Sequence, residues 1–192
     1  MEKLQNYVAG ALIAPRAERY FDNVEPATGL VYSQVPQSTG SDLAAAVAAA
    51  KQAFPAWAKV SQEERAAVLM RIADTIDKYA DRLAEAEARD NGKPKGLAKA
   101  VDMNRAAANF RFFAHAATQF ASESHIMPGL AVNYTRRDPL GIVGCISPWN
   151  LPLYLLTWKI APALAAGNCV IAKPSEVTPM TAYIFSQVCM KI

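Results

Sequence analysis

The most apolar stretch of this chain lies around residues 151–172, within a segment, Gly141–Glu176, that reads as strand, helix, strand. Gly141–Ser147 is a short apolar run that follows the turn residues Asp138-Pro139-Leu140-Gly141. Tyr154–Ala166 reads as an apolar helix. It stops at Gly167-Asn168, where glycine accepts a positive φ without steric cost. Cys169–Lys173 is a second apolar run, closed by Pro174. Two continuous apolar strands joined by a helix predict a parallel βαβ unit buried on both faces.

Upstream the pattern changes period. Tyr7-Val8-Ala9, Tyr20–Val24 and Leu30–Val35 read as short strands, the last two joined by the turn Glu25-Pro26-Ala27-Thr28-Gly29 into a hairpin. Ser41-Asp42 reads as the cap of a first helix, with Leu43, Val47, Ala50 and Phe54 on one face and Pro55 as its stop. Ser61 to Glu64 forms a capping box. The helix it starts carries Leu69, Ile72, Ile76, Tyr79 and Leu83 inward and ends near Asp90-Asn91-Gly92. A third helix runs from Pro94 to about Ala121, with Val101, Ala108, Phe112 and Phe113 as inner positions. Ser122–Gly129 reads as a loop and Leu130–Arg136 as an extended strand at an edge or reaching another subunit. Thr178-Pro179 supplies a cap and a first-turn proline for a last helix from Met180 to Lys191.

This organisation predicts an α/β chain in three parts. Residues 1–121 hold strands and helices, 122–140 a loop and an edge strand, and 141–192 the first βαβα portion of a doubly wound parallel sheet. Such sheets average five or six strands. Two strands here imply an incomplete sheet, so a truncated chain is expected. A small domain completed by a partner or by the N-terminal strands is the alternative.

Composition narrows the class. The chain has 192 residues, 52% hydrophobic and 19% charged, as in globular proteins. Its 20 basic and 17 acidic residues are interspersed, giving a net charge of +3 with no basic block, so nothing favours nucleic acid or an anionic membrane surface. The apolar stretch is interrupted by Pro152, Lys159, Pro162 and Gly167, which argues against a membrane span. Cys145, Cys169 and Cys189 make no disulfide or metal spacing, and His115 and His125 stand alone, so no metal site is expected. The start lacks a secretory signal pattern. A reducing, cytoplasmic location is expected.

Candidate chemistry gathers where the strands end, because ligands bind at the carboxyl ends of parallel strands. Ser147, Trp149 and Asn150 follow the first strand; Lys173, Ser175 and Glu176 follow the second. Asn150 can donate to a developing oxyanion or close an Asx-turn on its own backbone, and spacing alone favours the turn. Lys173 and Glu176 can hold ribose hydroxyls or form a surface ion pair. Lys159 can face a site cavity or reach solvent. Arg105 and Arg111 can bind a carboxylate, although helix-face solvation is the commoner role for such residues. Cys145 and Cys169 suit core packing better than catalysis. No glycine-rich phosphate loop of the two common kinds is present.

Several motifs in order then carry a resemblance. These are Pro148-Trp149-Asn150, Trp158-Lys159, Pro162–Asn168 and Lys173-Pro174-Ser175-Glu176. Pro26–Gly29, Ala53–Trp57, Arg65 and Gly92-Lys93-Pro94 precede them in the same order. Together they resemble the aldehyde dehydrogenase superfamily over essentially the whole chain. ISPWNLPLYLLTWKIAPALAAGN and NFRFFA look most like the branch oxidising 2-aminomuconic and 2-hydroxymuconic semialdehydes.

The resemblance implies roles. Asn150 matches the oxyanion-hole asparagine. Ile146, Ser147, Pro148 and Trp149 match the segment under the nicotinamide and ribose. Lys173 and Glu176, with Ser175 between them, match the adenosine-ribose site, and the glutamate implies NAD rather than NADP. Lys159 matches a lysine that helps relay protons, and Arg105 the arginine that grips the substrate carboxylate. The resemblance also implies an aldehyde substrate and a homodimer or homotetramer formed through a strand that Leu130–Arg136 resembles. The family's catalytic cysteine, general-base glutamate and glycine-rich turn match no position here, so the 192 residues alone are expected to be inactive. A non-catalytic product that binds a nucleotide or another subunit stays open as the alternative.

Overall fold

The computed structural model describes residues 1–192. β1 (Glu2–Lys3) lies parallel to β5 (Leu30–Pro36), which pairs antiparallel with β4 (Tyr20–Glu25). β2 (Asn6–Val8) and β3 (Ala11–Ile13) form a separate hairpin. The expected β4–β5 hairpin is present, with a register shift between Asn23 and Val24.

α1 spans Gly40–Trp57. Its cap is Thr39 rather than Ser41-Asp42. Asp42 is the acidic partner of that capping box, accepting the Thr39 N–H at 2.7 Å. Pro55 does not stop the helix. So near the end it removes one internal hydrogen bond, and the last turn closes through Ala58 N–H to Phe54 O at 2.8 Å. No residue of α1 is buried, and Leu43 is 54% exposed, so the expected inner face has little to pack on besides β2 and the strands Ile142–Ile146 and Cys169–Lys173.

The long second helix is two. α2 (Gln62–Lys78) breaks at Tyr79, and α3 (Ala80–Asn91) continues to the αL glycine Gly92. The Ser61–Glu64 capping box is formed in full. The third helix departs further from expectation. A turn α4 (Lys95–Leu97) runs into a π-helical segment, Ala98–Met103, and then α5 (Asn104–Gln119). A π turn holds more residues than an α turn and rotates everything after it. The inner residues are therefore Met103, Ala106, Ala107, Phe110 and Ala114, while Ala108 and Phe112 face solvent.

The segment expected to be a loop holds a strand. β6 (Ser124–Met127) pairs antiparallel with β7 (Ala131–Tyr134) across a turn in which Gly129 takes a φ of +73°. Every residue of both strands is exposed.

β8 (Ile142–Ile146), α6 (Pro152–Ala165) and β9 (Cys169–Lys173) form the expected parallel βαβ unit, with Ile142 opposite Cys169 and Ile146 opposite Lys173. Burial on both faces does not hold. Only Cys145 is buried in these strands, and Ile146 is 68% exposed, because the sheet has two strands and no neighbour on either edge. α6 ends at Gly167, whose φ of +83° is matched to its crowding. A Cβ there would lie 2.8 Å from Pro139 Cγ and 3.4 Å from the Arg65 guanidinium. Arg65 itself donates through Nε to Ala165 O at 3.0 Å, placing a cation at the helix's negative end.

α7 (Met180–Cys189) follows β9. Thr178 does not cap it; Pro179 holds the cap position, and the Met180 N–H is taken by the Asp90 carboxylate of α3 at 2.6 Å. The core is one contiguous cluster. It joins Leu69, Ile72 and Ile76 of α2, Leu83 of α3, Phe110 of α5, Leu153, Leu156 and Ile160 of α6, and Phe185 of α7. Phe110 and Phe185 meet at 6.0 Å between ring centroids. No helix is long and apolar enough to cross a membrane.

Candidate active site

The two strand ends lie side by side. Ser147 N–H donates to Lys173 O at 3.1 Å, extending the β8–β9 ladder to the point where both strands release their chains. This tie places the Asn150 loop and the Lys173–Glu176 turn at one rim.

At that rim the side chains divide into engaged and free. Lys173 Nζ donates to Glu176 Oε2 at 2.7 Å, and both side chains are exposed. That hydrogen bond, with Lys173's charge, holds the Glu176 carboxyl below its usual range. Ser175 is buried, and its Oγ accepts the Val177 N–H at 3.5 Å. Ser147 Oγ is buried with no partner, Ile146 and Trp149 are exposed, and Pro148 lies between them in the open loop. The Asn150 amide makes no hydrogen bond within the chain, so the Asx-turn does not form. It is the Asn150 carbonyl that is engaged, by Lys93.

The two arginines separate. Arg111 Nη2 is held between Asp74 Oδ1 at 2.7 Å and Asp77 Oδ2 at 2.6 Å, so its charge is already answered. Arg105 meets no carboxylate. Its guanidinium lies 5.4 Å from the Tyr154 ring centroid, with Nη1 3.4 Å from the Tyr154 hydroxyl, beside the first turn of α6. Lys159 is exposed and unpaired, on the face whose charge reaches Cys145.

None of the three thiols is primed. Burial raises Cys145 and Cys169 above the ordinary thiol value and pushes Cys189 up to about 12, where the thiolate is scarce at neutral pH. No three His, Cys, Asp or Glu side chains gather as metal ligands.

Sequence reasoning missed the layer beneath the rim. Glu87 of α3 is fully buried and accepts the Leu153 N–H at the start of α6 at 3.3 Å. Lys93 Nζ lies 3.6 Å from Glu87 Oε1 and 2.9 Å from Asp102 Oδ2. Asn91 Nδ2 donates to Trp149 O at 2.9 Å. Charged residues on helices read as solvated faces; the one signal was Asn91-Gly92-Lys93, a helix stop with polar side chains.

Burial pushes the Glu87 carboxyl up to about 7, and the neighbouring Asp102 charge adds to the rise; Lys93 and the Leu153 N–H oppose it. The folded value lies above the unfolded one. Stability from the protonated group is therefore complete below about pH 4.5 and lost as pH rises through about 7. Glu87→Gln cannot ionise. Its stability relative to the parent is expected to rise by about 3 kcal/mol between pH 4.5 and 8, read from urea unfolding. A difference that does not move with pH would refute the raised value.

A βαβ unit with polar groups at its strand ends belongs to the open α/β proteins that take ligands at that edge. The model of the aldehyde dehydrogenase family matches residues 13–192, and the chain belongs to that family. It is 50% identical over 183 residues to the 2-aminomuconic semialdehyde dehydrogenase of Mus musculus, covering 95% of this chain and 37% of that protein. It is 44% identical to the 2-hydroxymuconic semialdehyde dehydrogenase of Pseudomonas sp. (strain CF600), covering 98% of this chain and 40% of that one. Among solved structures, the NAD+ complex of aldehyde dehydrogenase from Bacillus cereus superposes with a TM-score of 0.95 at 33% identity, over 99% of this chain and 39% of that one. The chain thus spans about two-fifths of the length of these relatives.

Proposed function

We propose that these residues form the oxyanion-donor and ribose-facing part of an NAD-dependent dehydrogenase that oxidises a carboxylate-bearing semialdehyde to the acid. One observation carries the reading: the free Asn150 amide and the Lys173–Glu176 pair share the rim of one parallel strand pair. The exposed apolar Ile146 and Trp149 suit a nucleotide laid across that rim. Glu176 accepts from a vicinal diol and Lys173 donates to it, which fits an unphosphorylated ribose. NAD, when bound, supplies the hydride acceptor.

The chain's own residues do the rest of what this portion can do. Asn150 Nδ2 donates a hydrogen bond to the oxygen that becomes negative as the aldehyde carbon turns tetrahedral. Arg105, lacking an internal carboxylate, binds the substrate's, and Lys159 hands protons toward solvent. With all three thiols held protonated, the nucleophile and the general base come from outside these residues. The substrate branch rests on the names of the relatives. The exposed β6–β7 hairpin, with Ile126, Val132 and Tyr134, suits a homo-oligomeric contact, and a cytoplasmic enzyme fits the free cysteines.

The test is dinucleotide preference in the dehydrogenase carrying these residues. NAD is expected to be favoured over NADP, and Glu176→Gln to narrow the preference about tenfold by removing like-charge repulsion of the 2′-phosphate. Equal use of both dinucleotides by the unmodified enzyme would sink the reading.

A further inference from the structure

Asn150 is useful as a donor only if its loop is rigid, and its own side chain does nothing to hold it. The backbone around it is pinned at three points by one short segment of chain. Asn91 Nδ2 donates to Trp149 O at 2.9 Å, Lys93 Nζ to Asn150 O at 3.3 Å, and Glu87 Oε2 accepts the Leu153 N–H at 3.3 Å. The last of these is what α6 needs, since Leu151 at its cap position has no hydrogen-bonding side chain and Pro152 has no N–H. The first two go to carbonyls that precede the helix, so helix capping does not account for them.

Lys93 is an expensive residue to place there. Its side chain is 10% exposed, between the buried Glu87 and Asp102 carboxylates. Buried ion groups seldom stabilise more than apolar packing of the same volume would, and their best-attested use is to fix one arrangement. The ammonium donates to Asp102 Oδ2 at 2.9 Å and to Asn150 O at 3.3 Å, and Glu87 Oε1 faces it at 3.6 Å as an ion-pair neighbour without a hydrogen bond. The Asp102 bond and the Glu87 charge fix the ammonium, and its bond to Asn150 O transmits that position to the loop.

We propose that Lys93, seated by Glu87 and Asp102 and assisted by Asn91, is the positioning residue that sets the Asn150 amide in its donating place. This rests on the role given to Asn150 above. Lys93 acts only through Asn150, which a double-mutant cycle reads directly in the dehydrogenase carrying these residues. Lys93→Gln is expected to lower kcat about tenfold with the KM for NAD unchanged, as for a small misplacement of a preorganised donor. In an Asn150→Ala background the same substitution is expected to change kcat less than about twofold. A drop of equal size in both backgrounds, or no drop in the parent, overturns the inference while the role of Asn150 stands. If Asn150→Ala itself leaves kcat unchanged, the role of Asn150 fails and the inference falls with it. Asn91→Ala removes a neutral donor from a partly exposed site and is expected to show the same background dependence at several-fold. It decides the question if Lys93→Gln does not fold.

Discussion

Asn150→Ala is expected to lower kcat by about 10²–10³ in the dehydrogenase carrying these residues, with little change in the KM for NAD. The amide has no internal partner, so its removal leaves no buried group unsatisfied and no loop bond broken. The carbonyls of Trp149 and of Asn150 itself, not the Asn150 side chain, tie the loop to Asn91 and Lys93. The loss therefore belongs to the transition state, where the aldehyde oxygen gains charge and the donor matters most. Steady-state kinetics with a carboxylate-bearing semialdehyde read it. A loss under threefold would remove Asn150 from the chemistry. A loss confined to KM would make it a binding residue instead.

Asp90→Ala is expected to cost about 3–5 kcal/mol of folding stability. The Asp90 carboxylate is buried and accepts from the Asn23 amide at 2.8 Å, from the Tyr32 hydroxyl and from the Met180 N–H at 2.6 Å. Burial raises its carboxyl above the usual value, and those donors pull it back. Alanine would leave the Tyr32 hydroxyl and the Met180 N–H without their acceptor, while the Asn23 amide would keep only Tyr32 Oη and Ser33 Oγ. Asp90→Asn keeps an acceptor for Asn23 and Tyr32 but turns an NH₂ toward the Met180 N–H, so it is expected to lose about half as much. Urea denaturation of both variants provides the check; an alanine variant within about 1 kcal/mol of the parent would contradict the account.

Much of this was legible beforehand, for reasons that differ by element. The βαβ unit was readable because Gly167 and Pro174 punctuate apolar runs of the right length, and the Ser61–Glu64 box because its two bonds are local. The inner face of α5 was not, because the π turn at Ala98–Met103 is stabilised by packing across α3, and no residue in it announces the slip. The exposure of β8 and β9 was missed because apolar composition reports the environment a strand suits, not the one its neighbours supply. At the rim, the candidate residues lie where the strand ends were expected. The support beneath them was hidden: Glu87 and Lys93 are 57 or more residues from what they hold.

The last turn of α3 has a double duty. Glu87 meets the start of α6, which follows β8; Asp90, less than one turn later, meets the start of α7, which follows β9. The two helices that launch from the two parallel strands are thus gauged against one template, made earlier in the chain than either. A residue inserted between Glu87 and Asp90 would rotate one carboxylate about 100° from the other and leave one of the two helix starts unmatched. Both carboxylates fit only at the native spacing, so the register of the strand ends, and with it the separation of Asn150 from Glu176, is copied from three residues of helix.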